Sequence, residues 1–264
     1  MTKVFRFPSR PGRPVWPLIV VGSRELTARM RRVSLIGESL AGFDYRPGQD
    51  LILGVPAEGG VARRHYTIRG FDSGELRLDI DVVIHGDAPG ARWARSARIG
   101  DPALAEGPRG RTVVNPRADW HLFTGDETAL PAIAAMLETL PASARAYGLI
   151  EVAGAEDELP LETDAELELV WAHRRGPPGP SETLIRQLAA FRFPEGLGQA
   201  YVIGETSTVR AQRQGLIARG LAKEQICAEG YWRPGRVGGH DHVDLLDHAA
   251  RRGRAGSGAA ARAG

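Results

Sequence analysis

Cysteine is almost missing from this chain: Cys227 is the single one in 264 residues. A disulfide within the chain and a cluster of thiolates around a metal are both excluded. Lysine is nearly as scarce, with Lys3 and Lys223 standing among many arginines, and the formal net charge is only +2. A charge that small gives no reason to expect a nucleic-acid partner, and the excess of arginine, alanine and glycine reads as genomic base bias. Long apolar runs are absent as well. No segment approaches the ~18 apolar residues a membrane span requires, and prolines and arginines interrupt residues 1–22, where a signal peptide would need an unbroken apolar core. The expectation is a cytoplasmic monomer with no membrane insertion. Internal repeats are lacking too.

What is present is a globular composition, 42% hydrophobic and 25% charged, in a length that suits one large domain or two ordinary ones. The first half reads as strands. Residues 15–21 form an apolar run, and residues 31–35 and 76–82 alternate polar with apolar. Turn signals separate them at Pro47-Gly48, Glu58-Gly59-Gly60, Asp72-Ser73-Gly74 and Ala88-Pro89-Gly90. That spacing predicts an antiparallel barrel, with one short helix over 91–97. The second half changes period. Strands over 120–124, 146–152, 167–171, 200–203 and near Ile226 alternate with helices over 128–140, 181–191 and 208–219. Strand alternating with helix predicts a doubly wound, mainly parallel sheet. The fold class is thus β-barrel plus α/β, with units over 1–116 and 117–250 meeting near Asn115-Pro116-Arg117, and a disordered tail over 251–264.

Four segments carry chemistry. Arg64-His65-Tyr66-Thr67-Ile68-Arg69 sets a cation, a flat ring and a small hydroxyl along one strand. Those suit a phosphate, an aromatic ligand and a hydrogen bond to a ring edge, though an exposed amphipathic strand would look similar. Residues 64 and 66 share one face and 67 and 69 the other, so Thr67 and Arg69 must reach a common ligand from a strand end or bend. Asp81-Val82-Val83-Ile84-His85-Gly86 leads into a small-residue turn and the helix bearing Trp93-Ala94, where backbone N–H groups can approach a pyrophosphate. Thr124-Gly125-Asp126-Glu127-Thr128-Ala129-Leu130-Pro131 is a strand, a glycine turn and a helix with proline in its first turn, which Asp126 or Thr128 could cap. Ile203-Gly204-Glu205 is a second strand-to-helix turn, and Gly230-Tyr231-Trp232-Arg233-Pro234-Gly235 places aromatics beside arginine near the end. Other groupings read as ordinary. His240, His242 and His248 suit a loose tail more than a metal site, so no metal is expected. Glu156, Asp157 and Glu158 read as an acidic surface loop, and no Ser-His-Asp arrangement stands out.

In chain order these segments resemble the siderophore-interacting proteins of the ferredoxin-reductase-like group. R-x-Y-T-x-R, D-x-V-x-H-G, G-D-E-T-A-x-P-A-I and G-Y-W-R-x-G all match. The turn at 88–91 reads Ala-Pro-Gly-Ala where Gly-Pro-Ala is expected, and Tyr201-Val202-Ile203 stands where the family usually has a tryptophan.

The resemblance implies an oxidoreductase that passes electrons from NADPH or NADH through FAD to a ferric siderophore and releases Fe(II). A flavin joins a two-electron donor to a one-electron acceptor, so no residue need act as acid or base. It implies cofactor contacts from Arg64, Tyr66, Thr67, Arg69, Asp81, His85, Gly86, Gly90, Ala91, Trp93 and Ala94. The nicotinamide side would be formed by Thr124, Gly125, Asp126, Glu127, Thr128, Ala129, Gly204 and Glu205, with Tyr231 and Trp232 as a cap. Arg46, Arg174, Arg233 and Arg236 are candidates for an anionic chelate, and Arg174-Arg175 for the phosphate that distinguishes NADPH. A general flavin or electron-carrier reductase and a non-enzymatic siderophore-binding protein are the alternatives.

Overall fold

The computed structural model describes residues 13–236. The tail and the three late histidines lie outside them.

Strands β1 (Val15–Thr27), β2 (Met30–Ile36), β3 (Asp50–Ala57), β4 (Gly60–Asp72), β5 (Arg77–Val83) and β6 (Pro102–Arg109) close an antiparallel barrel in the order β1-β2-β5-β4-β3-β6. In β2 and β5 the alternation works as expected: Val33 and Leu35, then Leu78, Ile80 and Val82, point inward. β3 differs. Its first six residues are all buried, so it shows no period of two in sequence. Helix α1 (Pro89–Ser96) packs Trp93 and Ala94 into the barrel core.

The second unit is a five-stranded, wholly parallel sheet of β7 (Trp120–Asp126), β8 (Arg145–Val152), β9 (Glu166–His173), β10 (Gly198–Glu205) and β11 (Ile226–Trp232), in the order β11-β10-β7-β8-β9. Helix α2 (Leu130–Leu137) covers one face through Ile133, Met136 and Leu137. Helices α3 (Glu182–Ala190) and α4 (Thr206–Ala218) cover the other through Leu184, Leu188, Val209 and Leu216. β7 is buried along its whole length. α2 is shorter than its apolar pattern predicts, because residues 126–129 form a turn; Leu140 stays buried beyond its end.

The barrel docks on the α2 side, where Met30 joins the same apolar cluster as Ile133 and Met136. Ion pairs cross this junction, Arg69 with Glu138 and Arg29 with both Asp157 and Glu156. Asp157 is therefore not part of a surface loop as its neighbours suggested: it is buried, 2.6 Å from the Arg29 guanidinium.

Gly198 shows how tightly β7 and β10 are joined. A Cβ there would sit 1.9 Å from the Trp120 ring, a rigid side chain with no free end to swing away. Gly198→Ala is expected to lower stability by about 3 kcal/mol through overpacking, read as a lower urea midpoint at unchanged slope.

Candidate functional site

The strand order reverses between β7 and β10, and ligands of open parallel sheets bind outside the carboxyl ends of the strands at such a point. Two glycines let those ends close up. A Cβ on Gly125 would lie 2.4 Å from the Ile203 carbonyl oxygen; Gly204 has φ +130, and its Cβ would lie 2.7 Å from Asp126 Oδ2.

Asp126 ties the reversal point together. Oδ2 accepts from the Glu205 backbone N–H and the Trp232 indole N–H, each at 2.8 Å, while Oδ1 accepts from the Thr128 backbone N–H at 2.9 Å and from the Thr128 hydroxyl. This turn replaces the expected helix cap: the residue before α2 is Ala129, without a side-chain cap bond. Burial, reinforced by the charge of Glu127, pushes the Asp126 carboxyl up to about 6. The folded state then holds a proton that the unfolded chain releases near the ordinary 3.8. The resulting stabilisation is complete below that value and is lost as pH rises through about 6, a change of roughly 3 kcal/mol. Urea melts of the protein and of Asp126→Asn should therefore differ by an amount that varies between pH 4 and 7. A constant difference would refute the assignment.

Beside this point a cleft of ≈ 480 Å³ opens between the barrel and the end of β11. β4 supplies Arg64, His65, Tyr66 and Thr67; the end of β5 and the turn into α1 supply Asp81, His85, Gly86, Gly90 and Ala91. Thr128 and Pro131 enter from the α2 side, and Tyr231 through Arg236 form the opposite wall. Both faces of β4 thus reach one cleft, next to a break in the β4–β5 register between Ile68 and Gly70. The helix start fits tightly against the strand: a Cβ on Gly90 would stand 2.1 Å from the Tyr66 hydroxyl oxygen. Thr67 hydrogen-bonds the Tyr231 side chain, fastening the wall to the barrel, and burial holds the Tyr231 phenol well above its ordinary range. Asp81 takes a two-pronged contact from Arg32 at 2.7 and 2.8 Å.

Several expected residues stand elsewhere. Trp93 and Ala94 face the barrel core, and Arg69 is outside the cleft lining, committed to Glu138 and, at 3.7 Å, to Asp81. Thr124 is fully buried, its hydroxyl accepting from Gln212 Nε2 at 2.8 Å. Ala129 is buried, and Glu205 caps α4 by accepting from the Thr208 N–H. Of the four arginines suggested for an anionic chelate, Arg233 and Arg236 line the cleft, whereas Arg46 is exposed outside it. Sequence reasoning passed over Asp50 and Arg109, which flank His65: Nδ1 lies 2.7 Å from Asp50 Oδ2 and 2.8 Å from Arg109 Nη1. The signal was the pairing of Asp50 opposite Thr67, visible only once β3 and β4 are in register.

A second, polar cleft of ≈ 520 Å³ lies where β8 and β9 end and α3 begins. Arg174 lines it, but both of its terminal nitrogens donate to Glu127, each at 2.5 Å. Glu151 accepts from the Ser181 hydroxyl there, and burial raises its carboxyl above the usual range. Glu151, Ser181 and Arg186 were not singled out from sequence.

Comparison with known proteins gives consistent matches. The siderophore-interacting FAD-binding domain matches residues 51–112, and the siderophore-interacting protein family matches residues 118–235. Ferric vibriobactin reductase ViuB of Vibrio cholerae serotype O1 is 31% identical over 250 residues, 84% of this chain and 91% of its own length. A siderophore utilization protein from T. fusca superposes with a TM-score of 0.80 at 35% identity, over 86% of this chain and 96% of that one. The siderophore-interacting protein SipS from Aeromonas hydrophila gives 0.75 at 28% identity, over 93% and 99%.

Proposed function

The chain belongs to the siderophore-interacting protein family, and we propose that within it this protein carries electrons from a nicotinamide dinucleotide through FAD to a ferric siderophore, so that iron leaves as Fe(II). The observation that carries this reading is the single cleft into which four distant segments converge, at 64–67, 85–91, 128–131 and 231–236. Its volume is in the range of cofactor sites, roughly 300–1,000 Å³. Its donors suit a flavin dinucleotide: a guanidinium on β4, a helix start stripped of side chain at Gly90, and aromatic walls at Tyr66, Tyr231 and Trp232. When bound, FAD supplies the exchange between paired and single electrons that joins a nicotinamide to ferric iron.

In this reading Arg64 and the Gly86–Ala91 turn hold the phosphates, and Tyr66 and Thr67 orient the ring system. The turns at Gly125–Thr128 and Gly204-Glu205 receive the nicotinamide, and Trp232, held by Asp126, keeps the wall against that junction. Arg233 and Arg236 draw an anionic chelate toward the open side. We assign flavin to residues 1–116 and nucleotide to 117–250, and we place the reaction in the cytoplasm, a reducing compartment compatible with the free thiol of Cys227. Among the described residues no helix is long and apolar enough to cross a membrane.

The test is an absorbance spectrum after incubation with FAD and desalting, followed by anaerobic bleaching with NADPH or NADH. Addition of a ferric chelate should then restore the flavin bands and release chelatable Fe(II). A protein that takes up no flavin would sink the proposal. One that bleaches but responds only to protein acceptors would be an electron-carrier reductase instead.

A further inference from the structure

We propose that His65 takes up the proton that the reductase reaction leaves in the first cleft, with Asp50 and Arg109 as the residues that orient it. This rests on the reading above that electrons pass from a nicotinamide dinucleotide to ferric iron. A hydride carries two electrons and one hydrogen nucleus. Two ferric ions take the electrons one at a time and become ferrous, so each turnover leaves one proton behind. Neither electron step needs an acid or a base, but a base on the cleft wall speeds the departure of that proton.

The strand register assembles such a base. His65 and Thr67 share one face of β4, and Asp50 of β3 pairs with Thr67 on one side and with Arg109 of β6 on the other. His65 Nδ1 lies 2.7 Å from Asp50 Oδ2. A carboxylate can only accept there, so Nδ1 carries the hydrogen of the neutral ring and Nε2 is the nitrogen that takes a proton. Arg109 Nη1 stands close to both ring nitrogens, at 2.8 Å from Nδ1 and 3.3 Å from Nε2. With Nδ1 given to Asp50, the guanidinium can donate only to Nε2, and an arriving proton displaces that long contact. Arg109 Nε also lies 3.6 Å from Asp50 Oδ1, so one buried carboxylate faces both bases. The His65 side chain is only 12% exposed, yet it lines the cleft.

The neighbouring charges are committed elsewhere. Arg63, on the same face of β4, pairs with Glu106 of β6 at 2.9 Å, and Arg64 donates to the Arg63 carbonyl. Glu229 of β11 takes the Thr112 hydroxyl at 2.8 Å, and Asp81 is held by Arg32. Tyr231 hydrogen-bonds Thr67, its phenol in the field of Glu229, Asp50 and Arg109. Arg109, with Arg233 and Arg236 on the opposite wall, disfavours a lasting charge on the ring, so the proton moves on to solvent. His85, the other imidazole on the cleft, is exposed and belongs to no ion pair among the described residues.

The test begins without flavin. In isotope-labelled protein followed by nuclear magnetic resonance, with His65→Gln identifying the signal, the neutral His65 ring should carry its hydrogen on Nδ1 and gain a second on Nε2 on acidification. Asp50→Asn should abolish that preference. A neutral ring with its hydrogen on Nε2 would overturn the proposal. FAD-loaded protein, bleached anaerobically, is then reoxidised by a ferric chelate while an indicator dye reports proton release. His65→Gln should slow reoxidation about tenfold or more and remove the rise of its rate with pH. Added imidazole should restore the rate in His65→Ala, which a merely structural histidine would not allow. An unchanged pH profile in His65→Gln, or loss of the rise in His85→Gln instead, would overturn the assignment and leave the reductase standing. Failure of both NADPH and NADH to bleach the flavin would remove the reductase reading and this one with it.

Discussion

Gly90→Ala is expected to give a folded protein that binds FAD about ten- to a hundredfold more weakly. The added methyl would meet the Tyr66 hydroxyl oxygen at 2.1 Å, far inside contact distance. A phenol cannot bend away from such a contact: its oxygen moves only with the whole ring. The ring lines the cleft, so the displacement falls on the proposed flavin wall, while the barrel core on the other side of α1 keeps Trp93 and Ala94 in place. The cause can be isolated. The next Tyr66 atom, the ring carbon that bears the hydroxyl, would be 3.4 Å from the new methyl, an ordinary contact. Tyr66→Phe should therefore restore most of the affinity lost in Gly90→Ala, as measured by fluorescence titration with FAD. If the double variant binds no better than the single one, the hydroxyl is not what Gly90 accommodates.

The second large effect concerns stability. Glu127→Gln should lower the unfolding free energy by about 3–5 kcal/mol and Tm by roughly 10 °C. The Arg174 and Glu127 side chains are only 9% and 11% exposed, so removing one charge leaves the other uncompensated away from water. Replacing both by apolar residues of similar size, Glu127→Leu with Arg174→Met, should recover much of the loss, since the penalty comes from the unpaired partner. Arg174→Ala should behave differently with pH. Asp126, Glu127 and Glu151 all bear on that guanidinium, and its removal leaves three carboxyls to repel one another. Part of its deficit should vanish on acidification through about 6, where Asp126 takes up a proton. A deficit independent of pH would mean that the three acids do not share one field.

These two sites also mark what could and could not be read from residue order. β5 and β7, α2 and the turn at Gly125 were legible because their signals are local: alternation, helical spacing, a glycine before a proline. β3 and β6 escaped notice for a physical reason. β3 is buried almost throughout and so carries no alternation, and β6 is broken by proline and glycine. The strings around Tyr66, His85 and Trp232 pointed to one ligand, and most of their residues do line one cleft. The arginines were the least legible. Whether a guanidinium is spent on a carboxylate depends on partners far along the chain, 69 residues away for Arg69 and 47 for Arg174. Nothing in the local sequence separates those two from Arg64 or Arg175. Asp157 has the same history: its neighbours are acidic and one of them is exposed, but its own carboxylate is claimed by Arg29, 128 residues earlier.

The wall formed by Tyr231 through Arg236 has a consequence for how the molecule is made. A nascent chain that has exposed only the barrel to solvent already presents Arg64 to Thr67 and the Gly86–Ala91 turn, yet it lacks the opposite side of the cleft. At ordinary elongation rates of about 5–20 residues per second, several seconds of translation separate β6 from β11. The Thr67–Tyr231 and Asp126–Trp232 contacts form only after that interval. On the proposed reading, a cofactor that needs both walls is therefore held only once β11 has joined the sheet.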